Sequence, residues 1–300
     1  MEGLREAKTL ENYDAVIIGK GPAGISASLY TARANLKTLV IGADGSSLRK
    51  TSKIENYYGF ESPVSGEQLL EAGVRQAARV GAAIVDQEVT SVEPGALFAV
   101  KTAAGEYGAA AVLIATGQAP RRPDLPGVRE FEGRGVSYCT TCDGFFYKNK
   151  RVGVLGGGNY AVQEALELEP FTKDIIIFTN GGRLDFTGDY AAKAQNFTIR
   201  QERVKALRGD SVLREILLEN GSQPIDGLFV ASGTASSLDF AVKLGVAVAK
   251  NAIVADAQQK TNLDGIFAAG DCTGGFKQIA TAVGQGAIAG KSMIDYVRRL

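Results

Sequence analysis

Two cysteines separated by two residues lie near the middle of the chain, in Cys139-Thr140-Thr141-Cys142-Asp143. Thiols at this spacing can close a small disulfide ring, and a carboxylate beside the second one can move protons when the ring opens. The pattern therefore predicts a redox-active dithiol made of Cys139 and Cys142, with Asp143 as the neighbouring acid.

A zinc site and a pair of buried structural cysteines are the alternatives for these thiols. Structural zinc takes four ligands, most often Cys or His. The chain has one further cysteine, Cys272, and no histidine, so carboxylates would have to complete such a site and no metal site is predicted. For Asp143 the neutral alternative is a turn or N-cap residue before Gly144. Without histidine, acid and base chemistry falls to carboxylates, lysine, tyrosine or thiols.

The bulk composition is that of a soluble globular protein, with 45% hydrophobic and 22% charged residues in 300, a length sufficient for two domains. Because 33 basic residues balance 33 acidic ones, no global field favours nucleic acid or an anionic membrane. The polar start and the short apolar runs predict neither a signal peptide nor a membrane span. We expect a cytoplasmic protein, where a transient catalytic disulfide is more common than a structural one.

A glycine-rich turn stands between a short apolar strand and a helix at two places in the chain. The first, Gly19-Lys20-Gly21-Pro22-Ala23-Gly24, follows the strand 13–18, and the second, 156–161, follows the strand 151–155. Glycines at this spacing let the backbone approach a pyrophosphate at the helix N-terminus. Two such units predict an α/β protein with two Rossmann-like dinucleotide-binding domains, one of them for a flavin.

Further elements follow from the apolar periodicity. A helix is predicted over 65–80, and the residues expected on its apolar side are Leu69, Leu70, Ala72, Gly73 and Ala77. The alternating segments over 83–100 predict a small antiparallel layer, and 118–126 is predicted to be a linker. The ribose-binding acid expected after the first glycine turn has no clear counterpart, since Asp44 lies beyond the second strand.

The segment Thr179–Asp185 follows the second strand of the second unit. An NADP-specific domain needs arginines there for the 2′-phosphate, and an NAD-specific one needs an acid for the ribose hydroxyls. Only Arg183 is basic in this segment, and Asp185 would repel a phosphate. The pattern does not favour an ordinary NADP site.

Together these motifs resemble the low-molecular-weight thioredoxin reductases, over nearly the whole chain. The motifs that carry the resemblance are Gly19–Gly24, Ala115-Thr116-Gly117, Cys139 to Phe146, the second glycine turn and Ala269-Gly270-Asp271, in the family's order. The resemblance implies an FAD-binding domain formed by residues 1–117 and 246–300. Residues 118–245 would be inserted into it as a nucleotide-type domain that carries the dithiol.

The resemblance also implies roles for individual residues. It assigns FAD contacts to Gly19, Gly21, Pro22, Ala23, Gly24, Asn56, Ala115, Thr116, Gly117, Gly270, Asp271, Gln278 and Ile279. Cys142 would face the flavin, Cys139 would attack the partner, and Asp143 would donate and accept protons. Phe145 and Phe146 would belong to the surface that contacts thioredoxin. Homodimers and a rotation between the two domains are also usual in the family.

The electron donor is the point at which the chain departs from the family. Members that use NADPH carry His-Arg-Arg-x-x-x-Arg where Thr179–Asp185 stands here. Some relatives that lack the pattern take electrons from ferredoxin, so we expect a ferredoxin-dependent flavin thioredoxin reductase.

Three other functions stay open. One is an NADPH-dependent reductase whose phosphate contacts come from Lys193, Arg200 or Arg203. Another is a flavin enzyme that oxidises dithiols with oxygen, and the last is a flavin-bearing redox sensor without a donor site. Cys272 is expected to be a buried small hydrophobe rather than a third redox centre.

Overall fold

The computed structural model describes residues 11–43, 46–117, 123–138, 140–231 and 237–300. The chain divides into two compact units. Unit 1 draws its residues from Met1–Gln87, Ser91–Gly117 and Ile253–Leu300, and unit 2 from Glu88–Thr90 and Gln118–Ala252. Unit 1 contains a mainly parallel sheet and unit 2 a parallel sheet, each with helices, so the predicted α/β class with two Rossmann-like units is confirmed.

Strands and helices alternate at the start of unit 1. The elements are β1 (Glu11–Ile18), α1 (Pro22–Arg33), β2 (Thr38–Ile41), α2 (Gly66–Arg79), β3 (Ala83–Val85), β4 (Val89–Glu93), β5 (Phe98–Thr102) and β6 (Glu106–Ile114). A short 3₁₀ helix, Ser47–Lys50, precedes α2. The last four residues of β1 are buried, as expected of a central parallel strand covered on both faces.

Unit 2 contains most of the short elements. They are α3 (Val128–Phe131), β7 (Val136–Ser137), α4 (Thr140–Asp143), β8 (Val152–Leu155), α5 (Asn159–Leu168), β9 (Ile175–Phe178), α6 (Asp189–Lys193), β10 (Thr198–Arg200), β11 (Val204–Gly209), β12 (Leu213–Leu218), β13 (Gly221–Pro224), β14 (Gly227–Val230), α7 (Ser237–Leu244), β15 (Val248–Ala249) and β16 (Ala252–Ile253). Short 3₁₀ helices cover Gly144–Tyr147 and Ala194–Asn196. A parallel sheet has the order β10-β9-β8-β14-β7, beside an antiparallel sheet β11-β12-β13 and the pair β15-β16.

The chain then completes unit 1 with β17 (Ile266–Ala268), a 3₁₀ helix Asp271–Thr273 and α8 (Ile279–Val297). The large sheet of unit 1 has the order β3-β2-β1-β6-β5-β4, and β17 pairs with β6 in parallel. Helices α1 and α8 pack so closely that a Cβ on Gly286 would lie 2.1 Å from the Ala23 carbonyl oxygen. The Ser26 hydroxyl also donates a 2.8 Å hydrogen bond to the Val283 carbonyl.

Two expectations about unit 1 are wrong in part. The sequence places Ala72 on the apolar side of helix α2. In the structure Ala72 is exposed, while Leu70 and Ala77 are buried. Ala72 lies two residues after Leu70, which is about 200° around the helix axis. The predicted antiparallel layer over 83–100 is also incorrect at its start, since β3 pairs in parallel with β2. A strand reached from β2 through the helix α2 returns in the parallel sense. The later strand β5 does pair antiparallel with β6.

Candidate active site

The dithiol segment leaves the edge strand β7 of the parallel sheet in unit 2. The predicted Cys139 lies outside the described residues. Cys142 belongs to α4, which begins at Thr140 and leads directly into the 3₁₀ helix Gly144–Tyr147. The segment therefore contains two short helices that meet at Asp143.

Asp143 is held by the strand that precedes the dithiol. Its Oδ2 accepts a 2.7 Å hydrogen bond from the hydroxyl of Ser137, a buried residue of β7. Asp143 is also the N-cap residue of the 3₁₀ helix, but its side chain accepts no capping hydrogen bond there. The Asp143 carboxylate is thus held by Ser137. It does not cap the 3₁₀ helix, which was the alternative role for this residue. Burial, with a smaller contribution from Asp143, raises the pKa of Tyr147.

A buried charged cluster lies against the first residue of α4. Oγ1 of Thr140 lies 2.8 Å from Oε2 of Glu164 and 2.7 Å from Oε2 of Glu167, both on α5. The ammonium of Lys243, on α7, contacts Oε1 of Glu164 and lies 3.0 Å from both carboxylate oxygens of Glu167. Thr140 is fully buried, and the side chains of Glu164 and Lys243 are 3% and 10% exposed. We call these four residues the Lys243 cluster.

The protonation of this cluster follows from its burial and its one cation. Burial raises the pKa of Glu164 despite the nearby Lys243 charge. At Glu167 burial acts in the same direction, but the Lys243 charge and hydrogen bonds outweigh it and lower the pKa. Burial disfavours the Lys243 cation, yet the two carboxylates raise its pKa above the ordinary value. A single Thr140 hydroxyl proton can serve one of the two glutamates at a time.

An exposed aromatic pair follows Asp143 in the chain. Phe145 and Phe146 are 69% and 67% exposed, and their ring centroids lie 6.1 Å apart in an edge-on arrangement. Large apolar side chains left in water next to a reactive segment are typical of surfaces that bind another protein.

The first glycine turn brings β1, α1 and the end of β6 together in unit 1. Gly19 has φ +122°, and a Cβ there would lie 2.3 Å from the carbonyl oxygen of Ala115. A Cβ on Gly24 would lie 2.0 Å from the Gly19 carbonyl oxygen. Helix α1 begins at Pro22 after Gly21, an N-cap residue that makes no side-chain cap; Ala23 is the next residue of α1. The helix N-terminus therefore faces the turn with amides that can bind a pyrophosphate.

The remaining residues expected at FAD also belong to unit 1. Thr116 carries a buried hydroxyl that has no hydrogen-bond partner among the described residues, and Gly117 follows it with φ +76°. The Asn56 amide donates a 3.0 Å hydrogen bond to the side chain of Gln278, which directly precedes Ile279 at the start of α8. A buried hydroxyl without a partner and a glycine turn too tight for side chains both fit a bound dinucleotide.

Gly270 and Asp271 follow β17, whose parallel partner is β6. Gly270 has φ +87°, and its amide donates a 2.8 Å hydrogen bond to the side chain of Gln285 on α8. Asp271 opens the 3₁₀ helix directly after it. The positive φ explains the glycine, because a side chain would strain the turn that presents Asp271.

Sequence reasoning missed an ion pair at the carboxyl end of the same sheet. A pocket of about 220 Å³ is lined in part by Lys20, Arg49 and Asp86, and the Lys20 ammonium contacts the Asp86 carboxylate. Asp86 follows β3 directly, so an acid immediately after the third strand was the available signal. Asp44, the acid weighed for the ribose, lies outside the described residues.

The second glycine turn is in contact with the chain that follows β9. The Asp185 amide donates a 2.8 Å hydrogen bond to the Gly157 carbonyl. The Asn159 amide group donates to the Thr187 hydroxyl at 2.8 Å and accepts from the Thr187 backbone amide at 2.8 Å. The first residue of α5 is thus bonded to the segment 185–187 of its own chain.

A tight turn directly follows β9. Asn180 and Gly181 both have positive φ, +54° and +75°, and the Gly182 amide closes the turn on the Thr179 carbonyl at 2.9 Å. The Asn180 side chain accepts a 2.8 Å hydrogen bond from the Val204 amide. Asparagine and glycine suit this left-handed conformation.

Cys272 is buried in unit 1, as expected, with 3% of its surface exposed. Its Sγ donates to the carbonyl oxygens of Ala269 at 3.2 Å and Ile114 at 3.4 Å. Burial raises the pKa of this thiol from 9.0 to about 12. A thiol so held is unreactive at neutral pH.

The part of the chain that the structure describes lacks both a metal-binding cluster and a membrane-spanning helix. No group of three or more Cys, Asp or Glu side chains there is arranged to hold a metal ion. None of the helices among those same residues is long and apolar enough to cross a membrane.

Known proteins resemble this chain along nearly all of its length. Residues 13–286 match the family described as pyridine nucleotide-disulphide oxidoreductase. The thioredoxin reductase of Listeria innocua is 37% identical over 303 residues, covering 96% of this chain and 95% of its own.

Two solved structures resemble the chain as well. The atypical thioredoxin reductase TRi of Desulfovibrio vulgaris Hildenborough has a TM-score of 0.90 and 42% identity, covering 97% of this chain and 99% of its own. A ferredoxin-flavin thioredoxin reductase of Clostridium acetobutylicum has a TM-score of 0.71 and 29% identity, with coverage of 97% and 100%.

The two Rossmann-like units and these matches define a flavin-dependent disulfide oxidoreductase with FAD as its cofactor. The chain belongs to the pyridine nucleotide-disulphide oxidoreductase family and, within it, to the thioredoxin reductases.

Proposed function

We propose that the chain is a thioredoxin reductase that takes electrons from reduced ferredoxin rather than from NADPH. The electrons pass through FAD and the Cys139/Cys142 disulfide to thioredoxin. The observation that carries the choice of donor is the turn at Asn180-Gly181, directly after β9. It stands where an NADP site needs arginines.

This turn is built for a backbone conformation and not for cations. Two successive residues with positive φ favour Asn and Gly, and an arginine at either position would be strained. The Asn180 side chain is also engaged by the Val204 amide. The segment Thr179–Asp185 supplies one cation, Arg183, and one opposing acid, Asp185.

Two of the three basic residues named as substitute phosphate contacts, Arg200 and Lys193, have other partners. The Arg200 guanidinium lies 3.0 Å from a carboxylate oxygen of Glu202 and 3.4 Å from the side chain of Gln223. The Lys193 ammonium lies 5.3 Å from the ring centroid of Tyr190. Recruiting either for a 2′-phosphate would break these contacts, which weakens the case for NADPH.

The relatives and the energetics support the same donor. One structural relative is a ferredoxin-flavin thioredoxin reductase, and the relative with a TM-score of 0.90 is an atypical thioredoxin reductase. The reduction potential of a plant-type ferredoxin is about −400 mV and that of thioredoxin about −270 mV. The difference of roughly 130 mV corresponds to about 6 kcal/mol for two electrons. The transfer is therefore strongly downhill.

In this proposal unit 1 binds FAD and unit 2 carries the dithiol. The glycine turn at Gly19 to Gly24 holds the pyrophosphate, while the residues around Thr116, Asp271 and Gln278 bind the rest of the cofactor. When bound and reduced by two ferredoxins, the cofactor would supply the two electrons that open the Cys139/Cys142 disulfide.

The dithiol step is a pair of thiol exchanges. The Cys139 thiolate attacks one sulfur of the thioredoxin disulfide, which forms a mixed disulfide and releases one thioredoxin thiolate. The Cys142 thiolate then attacks the Cys139 sulfur, which reforms the Cys139/Cys142 disulfide and releases the second thiolate. Asp143, held by Ser137, takes the proton as Cys142 ionises and returns one to a leaving thiolate.

The proposal includes the partners and the assembly. Phe145 and Phe146 contact thioredoxin, because they are exposed beside α4. The chain acts as a homodimer in the cytoplasm, where a catalytic dithiol can cycle between its two states. Light scattering of the FAD-loaded protein tests the dimer, which predicts a mass twice that of the 31.5 kDa chain.

The donor is tested by anaerobic reduction of the FAD-loaded protein. Flavin absorbance is followed after mixing with NADPH, NADH or reduced ferredoxin in separate reactions. We expect bleaching by ferredoxin at least 100-fold faster than by either pyridine nucleotide. Rapid bleaching by NADPH with none by ferredoxin would refute the proposal, and oxygen consumption driven by dithiothreitol would favour the dithiol oxidase instead.

A further inference from the structure

Thr140 lies between the two cysteines in the sequence and is a member of the Lys243 cluster. It directly follows Cys139 in the sequence and opens the helix that contains Cys142. Its hydroxyl lies within 2.8 Å of one oxygen on each of Glu164 and Glu167. The start of the dithiol helix is thus tied to two side chains of α5.

The other side of the cluster is anchored as firmly. Lys243 contacts both carboxylates from α7, and the Gln163 amide donates a 3.0 Å hydrogen bond to Glu167. Buried charged groups are costly unless they are paired and fully bonded. The cluster therefore ties α4, α5 and α7 to one another, since each partner lost leaves a buried polar group unsatisfied.

We propose that Thr140, held by Glu164, Glu167 and Lys243, is a positioning residue that presets Cys139 and Cys142 for disulfide closure. The inference rests on the proposed function, in which these two cysteines are the redox dithiol. Because α4 begins one residue after Cys139 and contains Cys142, an ordered α4 restricts the chain between the two cysteines, which stabilises their disulfide against reduction.

The test is a thiol–disulfide equilibrium of the FAD-loaded protein with dithiothreitol. Each dithiothreitol gives two electrons and two protons to the protein disulfide and becomes a cyclic disulfide. The mixtures are quenched with an alkylating reagent under denaturing conditions, and the blocked thiols are counted by mass. No ferredoxin, NADPH or thioredoxin is present, so the electron donor does not affect the result.

Thr140→Val removes the hydroxyl and keeps the branched shape. We expect the equilibrium constant for reduction to rise at least fivefold, about 21 mV at 29.6 mV per tenfold change for two electrons. Thr140→Ser keeps the hydroxyl and should stay within twofold of wild type. Lys291→Met breaks an exposed ion pair with Asp295 and serves as the control for lysine removal.

A double-mutant cycle separates positioning from a general loss of stability. In the wild-type background, Lys243→Met should raise the equilibrium constant for reduction. In the Thr140→Val background it should change that constant by less than twofold, because the effect of Lys243 on the dithiol passes through Thr140. If Thr140→Val does not fold, Glu167→Gln, at a side chain 23% exposed, should still shift the constant at least twofold.

Two outcomes overturn the inference: a Thr140→Val constant within twofold of wild type, or equal Lys243→Met shifts in the two backgrounds. A different outcome points to the proposed function itself. If wild-type protein gains no thiols on reduction, Cys139 and Cys142 form no disulfide, and the dithiol mechanism fails with the inference.

Discussion

The hydroxyl of Ser137 donates a 2.7 Å hydrogen bond to Oδ2 of Asp143, which connects the last residue of an edge strand to the acid after the second cysteine. This bond fixes the carboxylate beside the dithiol from a residue that precedes both cysteines. It gives Asp143 a defined orientation, which a proton-transferring group requires.

Removing the acid should slow the thiol exchange far more than removing its support. Asp143→Asn is expected to lower the rate of thioredoxin reduction by about 100-fold, a typical contribution of general acid–base catalysis. Ser137→Ala should cost about tenfold, since a hydrogen bond to a charged carboxylate contributes about 1.5 kcal/mol. Stopped-flow measurement of thioredoxin reduction by the prereduced enzyme checks both. Equal rates in Asp143→Asn and wild type would exclude Asp143 as the proton carrier.

The exposed aromatic pair should contribute to affinity for thioredoxin and not to flavin reduction. Replacing both Phe145 and Phe146 by alanine is expected to raise the KM for thioredoxin at least tenfold, because aromatic anchors are frequent hot spots. Leu97→Ala, at another exposed apolar residue, is the control and should leave KM unchanged. An unchanged KM in the double variant would place the thioredoxin surface elsewhere.

The contact between α1 and α8 makes two glycines of one helix respond in opposite ways. Gly286→Ala should destabilise unit 1 by about 1–3 kcal/mol, since its Cβ would meet the Ala23 carbonyl oxygen at 2.1 Å and force the helices apart. Gly284→Ala, with nothing within 4 Å of its Cβ, should be neutral or stabilise by about 0.5–1 kcal/mol.

Thermal unfolding and the FAD retained after gel filtration measure both effects. Because Ala23 belongs to the first glycine turn, Gly286→Ala should also lose FAD. Equal melting temperatures for the two variants would contradict the close helix contact.

Cys272 should contribute to stability in a way that depends on alkaline pH. Its folded pKa of about 12 exceeds the ordinary 9.0, so the folded state holds the proton more tightly. The resulting stability is complete below pH 9 and is lost as pH rises towards 12.

Cys272→Ala removes this linkage. The free energy of unfolding is measured with denaturant at about pH 9 and about pH 10.5. Over this range it should fall by about 1–2 kcal/mol more in wild type than in Cys272→Ala. Tyr13, whose pKa burial also raises to about 12, affects both proteins alike. Parallel pH profiles would contradict the buried thiol, and loss of thioredoxin reduction in Cys272→Ala would reveal a redox role.

Local sequence signals predicted the nucleotide-binding frame well. Apolar strands followed by glycine turns set both the strand β1 and the start of α1, because only glycine permits the approach of Gly19 to Ala115. The same reasoning failed at Ala72, which lies about 200° around the helix axis from Leu70, because a residue as small as alanine marks no particular face of a helix. It failed at β3 because a strand's partner is set by the crossover and not by its own residues.

Long-range polar pairs were beyond the reach of the sequence. Glu164 and Lys243 are 79 residues apart, and nothing local marks either as buried. Ser137 and Asp143 are close in sequence, but their bond depends on the path of the chain between a strand and a helix. Asp86 gave the weakest of signals, an acid directly after a strand.

The central claim is most directly tested by counting electrons from donor to thioredoxin. Reduced ferredoxin is mixed anaerobically with the FAD-loaded enzyme and oxidised thioredoxin, and thioredoxin thiols are counted against ferredoxin oxidised. The account predicts two ferredoxins oxidised per thioredoxin disulfide opened, and no thiols with Cys139→Ser although its flavin still bleaches. Thiols formed from NADPH but not from ferredoxin, or formed equally by Cys139→Ser, would contradict it.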